Sequence, residues 1–217
     1  METSRNKPTK EVKQRMKVNI RADSVEITGY VNAVARESRV LRDKDGYFTE
    51  TIKPGAFARA LMRGKRKMLL NHDKERVIGE EGENLELKED AVGLYARAVV
   101  TDPEVIDKAR NRELRGWSFG FRPLKQSKSE SAGMEHRAIE DMELTEVSII
   151  DQRLLPCYSA TSVFTRADDG SGSVPVEYRA MDFESIETTE EEKRAEGKHE
   201  APDLSEYLGT IERLKAQ

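Results

Sequence analysis

The sequence predicts a mainly β domain with a few helices, an α+β fold, followed by an acidic tail. Short runs in which apolar and polar residues alternate have the period-two signature of half-buried strands. Turn residues such as Asp45-Gly46 punctuate these runs. Inside the domain only two segments, beginning near Pro54 and Asp102, open with helix-start chemistry.

Residues 1–16 are polar and basic and read as a loose arm. Val25, Ile27, Gly29, Val31 and Ala33 then alternate with Glu26, Thr28, Tyr30 and Asn32, which predicts a strand. After the turn at 42–46, residues 48–52 form an extended piece, and Pro54-Gly55 opens a helix that should end at Gly64. Residues 67–73 read as a strand with Met68, Leu70 and His72 on one face. Short strands follow at 77–79 and 85–87, then a longer one at 93–100. Asp102-Pro103-Glu104 supplies a cap, a proline where no N–H is needed, and an acid at the positive end of the helix dipole. This helix is expected to reach about Arg115 and stop at Gly116.

A strand over 115–123 comes next, then a polar hairpin loop at 126–133 and a strand at 134–139. Residues 144–150 form a further strand, with Leu144, Glu146, Ser148 and Ile150 on one face. Residues 155–158 turn the chain and residues 160–164 close the domain, which is expected to span 17–165. A linker composition follows, and residues 166–202 read as acidic and disordered. Leu204, Tyr207, Leu208, Ile211 and Leu214 then fall at helical spacing, so 203–217 reads as a short amphipathic helix.

Charge supports the boundary near 165. Residues 165–217 carry 14 Asp and Glu against 7 Lys and Arg, whereas the rest carries 27 against 30. The basic residues are mixed with acids, which argues against a nucleic-acid partner. No run is apolar and long enough to span a bilayer, and the first residues do not resemble a signal peptide. A single cysteine, Cys157, cannot form an internal disulfide, so cytoplasmic synthesis is expected. Asn71-His72-Asp73 lacks a second ligand cluster at metal-binding spacing, and no cofactor is expected.

The stretch that carries chemistry is Arg115-Gly116-Trp117-Ser118-Phe119-Gly120-Phe121. As a strand it puts Trp117, Phe119 and Phe121 on one face and Ser118 with Gly120 on the other, leaving open space beside the hydroxyl. A serine needs a base, normally a histidine that an acid orients. His72 ends an apolar face, Glu146 sits among apolar neighbours, and His136 is another candidate third member. Gly116-Trp117-Ser118-Phe119-Gly120 also fits G-x-S-x-G, but a helix precedes the serine and the best histidine lies upstream, both wrong for an α/β-hydrolase.

Taken in order, several segments resemble the prohead maturation proteases of tailed bacteriophages, which are similar in fold to the herpesvirus assembly proteases. They are Gly29-Tyr30-Val31-Asn32, Phe48-Thr49-Glu50 with Pro54-Gly55-Ala56-Phe57, Leu70-Asn71-His72-Asp73, Gly93-Leu94, Trp117-Ser118-Phe119-Gly120-Phe121 and Leu144-Thr145-Glu146-Val147-Ser148. Pro156-Cys157-Tyr158 resembles the segment that follows, and the likeness covers about residues 25–165.

The resemblance implies an antiparallel β-barrel core with surrounding helices. It implies Ser118 as nucleophile, His72 as general base and an acid on the last strand, for which Glu146 is the choice. Asp141, Glu143 and His136 stay open, His136 because the herpesvirus relatives use a second histidine. Arg153 is an oxyanion candidate, although a surface charge is the preferred reading. The activity implied is a serine endopeptidase packaged in the procapsid within the host cytoplasm. It would cut scaffold or the scaffolding region of the major capsid protein, and itself, with no membrane partner and with homo-oligomerisation left open. The competing reading is an assembly or scaffolding protein that kept the fold and lost the chemistry.

Overall fold

The computed structural model describes residues 16–43, 45–154, 164–165, 176–180 and 186–190. The chain opens with β1 (Met16–Ile20), β2 (Val25–Ala33), β3 (Leu41–Arg42) and β4 (Tyr47–Ile52), then helix α1 (Ala56–Leu61). Next come β5 (Lys67–Leu70), β6 (Asp73–Glu80), β7 (Leu85–Glu89) and β8 (Gly93–Val100), then helix α2 (Pro103–Arg110). Two 18-residue strands follow, β9 (Leu114–Ser131) and β10 (Met134–Asp151). Short strands β11 (Phe164–Thr165), β12 (Glu177–Ala180) and β13 (Ile186–Glu190) complete the described chain.

The architecture is mostly β with few helices, arranged as two mixed sheets. One runs β13-β1-β2-β8-β7; the other runs β11-β12-β9-β10-β4-β3, with β5 and β6 branching from β10. Among the described residues neither sheet closes, so the antiparallel barrel implied by the resemblance is corrected there to a pair of open sheets. The reason lies in β10. It takes β4 as a parallel neighbour over Glu135–Ile139 and β5 as another over Val147–Ile149, so it acts as a branch point rather than one stave of a wall. A further parallel pair joins β1 to β13.

Several boundaries differ from the sequence expectation. Helix α2 is capped as predicted, with the Asp102 carboxylate accepting the Val105 N–H at 3.1 Å. It ends at Arg110 because Arg112 takes a left-handed φ of 57° and turns the chain into β9. The polar stretch at 126–133 is not a loop. The strands continue through it and reverse only at Ala132-Gly133, both with positive φ. This end of the ribbon is largely exposed, so it needs no apolar alternation. Within the stretch expected to be disordered, Glu177–Ala180 and Ile186–Glu190 form strands through backbone pairing with β9 and β1, which their polar composition does not signal. Of the arm expected over 1–16, Met16 belongs to β1; its other residues, the turn at 155–158 and the helix over 203–217 lie outside the described residues.

The core sits beneath β9 and β10. Trp117, Phe119 and Phe121 are fully buried on one face, with Val147 and Ile149 of β10 in the same cluster. Phe57 of α1 meets Phe119 edge-on, with ring centroids 5.3 Å apart. Each such ring stabilises the fold by roughly 2–3 kcal/mol through area removed from water. Two oxygens of Glu89 accept the Gly55 and Ala58 N–H groups at 2.6 Å, supplying the start of α1 with a cap from β7. The buried Arg66 donates to the Ala60 carbonyl at the other end of α1.

Candidate active site

The register of the β9–β10 ribbon decides what faces what. Ser118 pairs with Ser148 and Gly120 pairs with Glu146, so these four residues share one face, opposite the aromatic core. A bulge at Thr145 produces this arrangement. Leu144 pairs with Phe121 before it, and Glu146 pairs with Gly120 after it. Without the extra residue Glu146 would stand opposite Phe119, on the core side. The expectation that Leu144 and Glu146 share a face is therefore corrected by the bulge.

His72 comes from a turn, not from the end of a strand face as expected. Leu70 pairs with Asp73, which leaves Asn71 and His72 as a two-residue hairpin loop with φ of 57° and 60°. Both residues occupy the left-handed region, as a type I′ connection requires. Asparagine tolerates that geometry well and histidine less so, at a cost on the order of 1 kcal/mol. The turn is anchored on β10: the Asn71 N–H donates to the Ile149 carbonyl at 2.9 Å, and Asn71 Oδ1 accepts the Asp151 N–H at 2.9 Å.

These placements bring Ser118, His72 and Glu146 into line. Ser118 Oγ lies 2.8 Å from His72 Nε2, and His72 Nδ1 lies 2.6 Å from Glu146 Oε1. All three side chains are buried. Ser148, which the sequence reading placed on this face without a role, completes the set. Its hydroxyl donates to Glu146 Oε2 at 2.6 Å and accepts the His72 backbone N–H at 3.2 Å. Glu146 Oε1 is placed to hold a proton on Nδ1, which leaves Nε2 facing the serine hydroxyl.

The space beside the hydroxyl is occupied rather than open. A Cβ on Gly120 would stand 2.7 Å from Thr145 Oγ1 and 2.9 Å from both Glu146 Oε1 and Tyr178 Cε1. The glycine is what allows these groups to close over the site. Tyr178 on β12 packs against the imidazole, with ring centroids 4.3 Å apart. The neighbouring Arg179 carbonyl accepts from Ser118 Oγ at 2.7 Å. Arg179 itself is buried. Its guanidinium donates to both oxygens of the buried Glu50, at 3.0 and 2.8 Å, and also pairs with Glu177. Burial alone would lower its pKa, but the two carboxylates outweigh that and raise it. Nothing local in the sequence signals that Arg179 reaches Ser118; a strand pairing across 61 residues brings it there.

The other candidates hold other partners, although Glu143 shares a cavity wall with His72 and Glu146. His136 Nδ1 contacts Glu37 at 2.7 Å and Thr49 at 2.6 Å on the β4 side of β10. Asp141 pairs with Arg63 at 2.6 Å, which holds its carboxyl below the usual range, and Glu143 pairs with Arg122 at 3.1 Å. Arg153 is exposed and pairs with Asp151 and Glu104. Asp151 supports the His72 turn from below. Burial pushes its carboxyl up, but hydrogen bonds from Lys108, Asn71 and the Arg153 backbone outweigh this and hold it below the ordinary value. A cavity of about 680 Å³ adjoins His72, Glu146 and Tyr178, and its wall includes the cations of Arg63, Lys67, Lys74 and Arg122.

Among the described residues no group of His, Cys, Asp and Glu could hold a metal ion, and no helix is long and apolar enough to cross a membrane. A serine, a histidine and a carboxylate in hydrogen-bond contact are the groups that acyl transfer to a serine uses. A family model described as caudovirus prohead serine protease matches residues 11–172, most of the chain. No curated protein and no solved structure matches it.

Proposed function

The chain belongs to the caudovirus prohead serine protease family and is a serine peptidase, and we propose that Ser118 is its nucleophile, His72 its general base and Glu146 the acid that orients His72. The observation that carries this reading is the unbroken line of contacts from Ser118 Oγ through both imidazole nitrogens to Glu146. The Ser118 proton passes to His72 Nε2 as Oγ bonds the peptide carbonyl carbon. The C–N bond breaks, and the amine leaves with that proton. Water then hydrolyses the ester and restores the serine. Glu146 stabilises the imidazolium formed in each half, and Ser148 fixes the carboxylate in place.

Family membership makes capsid maturation the setting. The substrates proposed are the scaffold or the scaffolding region of the major capsid protein, together with the protease itself, inside the procapsid in the host cell. The test is co-expression with the capsid protein of the same phage, comparing wild type with Ser118→Ala by intact mass. Defined fragments from wild type alone are expected. Identical fragments in both, or procapsids that assemble uncut in both, would overturn the assignment.

A further inference from the structure

The segment around Arg179 crosses the site in the manner of a bound peptide. β12 runs antiparallel to β9, with Arg179 opposite Phe119 and Ala180 opposite Ser118. Its outer edge pairs with β11 at Phe164 and Thr165, so the strand is gripped on both sides. Main-chain pairing of this kind supplies affinity without reading sequence, and pockets for individual side chains supply specificity. One residue here is read by charge. The Arg179 carbonyl meets Ser118 Oγ at 2.7 Å, while the side chain of the same residue makes a two-pronged contact with Glu50. Glu50 is 5% exposed, and Arg179 is its cationic partner among the described residues. A buried carboxylate with no cation is strongly unfavourable, so an uncharged or acidic residue in this place would leave Glu50 uncompensated. The guanidinium carbon also lies 5.1 Å from the Phe121 ring centroid, a cation–π contact of the kind arginine makes more often than lysine.

We propose that the edge of β9 beside Ser118 is the strand-binding site for substrate peptides, that Glu50 is its specificity determinant for an arginine whose carbonyl meets Ser118, and that residues 176–180 fill this site in cis. The bond addressed is the one between that arginine and the next residue, Arg179–Ala180 in this chain. Acyl transfer to Ser118 releases the amine of that next residue and leaves the arginine carboxylate after hydrolysis. The Ser118 hydroxyl has one proton and two acceptors in reach, His72 Nε2 and the Arg179 carbonyl oxygen. While it donates to the carbonyl it is withheld from the base, so the docked strand is also a competitive occupant.

The inference rests on Ser118 as the nucleophile only for the identity of the bond cut; the recognition claim is tested without turnover. The full chain carrying Ser118→Ala and Arg179→Ala, the second to loosen the cis strand, is titrated with fluorescently labelled Val-Glu-Tyr-Arg-Ala and Val-Glu-Tyr-Ala-Ala. Anisotropy should show the arginine peptide binding about tenfold tighter or more. Adding Glu50→Gln should abolish that difference. Equal affinity for the two peptides, or binding of neither, overturns the proposal. The comparison of peptides on a chain with Glu50 intact decides this even if the Glu50→Gln chain fails to fold. Loss of Ser118-dependent cleavage in the capsid experiment would leave this binding result readable by itself.

Discussion

The Ser148 hydroxyl donates to Glu146 Oε2 at 2.6 Å while the other oxygen of the same carboxylate holds His72 at 2.6 Å. Two residues apart on one strand, they form a rigid bracket for the imidazole. Ser148→Ala leaves a buried carboxylate oxygen and the His72 N–H without this partner. A lost hydrogen bond to a charged group corresponds to about 1.5–3 kcal/mol. The expected result is a kcat at least about tenfold lower with KM little changed, read from steady-state peptide hydrolysis. An unchanged kcat would show that Glu146 needs no support.

Gly120→Ala should be more damaging than its size suggests. The added Cβ falls within 3 Å of Thr145 Oγ1, Glu146 Oε1 and Tyr178 Cε1, so at least one must move. Displacing Glu146 Oε1 releases His72, and overpacking costs about 1–3 kcal/mol. Activity should drop by about a hundredfold or more, on the scale of losing an orienting acid, with a lower unfolding midpoint. Wild-type activity in this variant would mean the site tolerates the clash by moving Tyr178 alone.

Acid should loosen the His72 turn through Asp151. Its folded carboxyl is held below the ordinary value, so its contribution to stability is fully present above the unfolded pKa of about 4. That contribution is lost as pH falls from there through the lower folded value, because the folded state resists taking up the proton. Thermal unfolding followed from pH 7 downward should show a midpoint decline below pH ~4 that is shallower in Asp151→Asn. Equal declines in the two chains would remove Asp151 from the explanation.

Asp102→Ala removes the cap of α2, where the carboxylate accepts the Val105 N–H at 3.1 Å. The expected loss is about 1 kcal/mol, or roughly 2–4 °C in Tm for a domain of this size. Asp102→Ser should retain most of the stability, since serine caps nearly as well. Equal losses in the two variants would assign the effect to the ion pair with Arg76 instead.

The strands at 25–33, 47–52 and 93–100, the cap at Asp102 and the aromatic core face of β9 were legible in the sequence, because each follows from local periodicity or local hydrogen bonding. Ser118, His72 and Glu146 stood out for the same reason, being polar groups set in apolar surroundings. Tertiary structure decided the rest. Only the Thr145 bulge turns Glu146 toward Gly120, and only the Asn71-His72 hairpin carries the imidazole to Ser118. Only pairing between strands far apart in sequence sets Arg179 between Ser118 and Glu50. Local patterns report which side of an element is buried. They carry no record of register, bulge or distant pairing, which depend on backbone hydrogen bonds available to any sequence and are fixed by the packing of the whole domain.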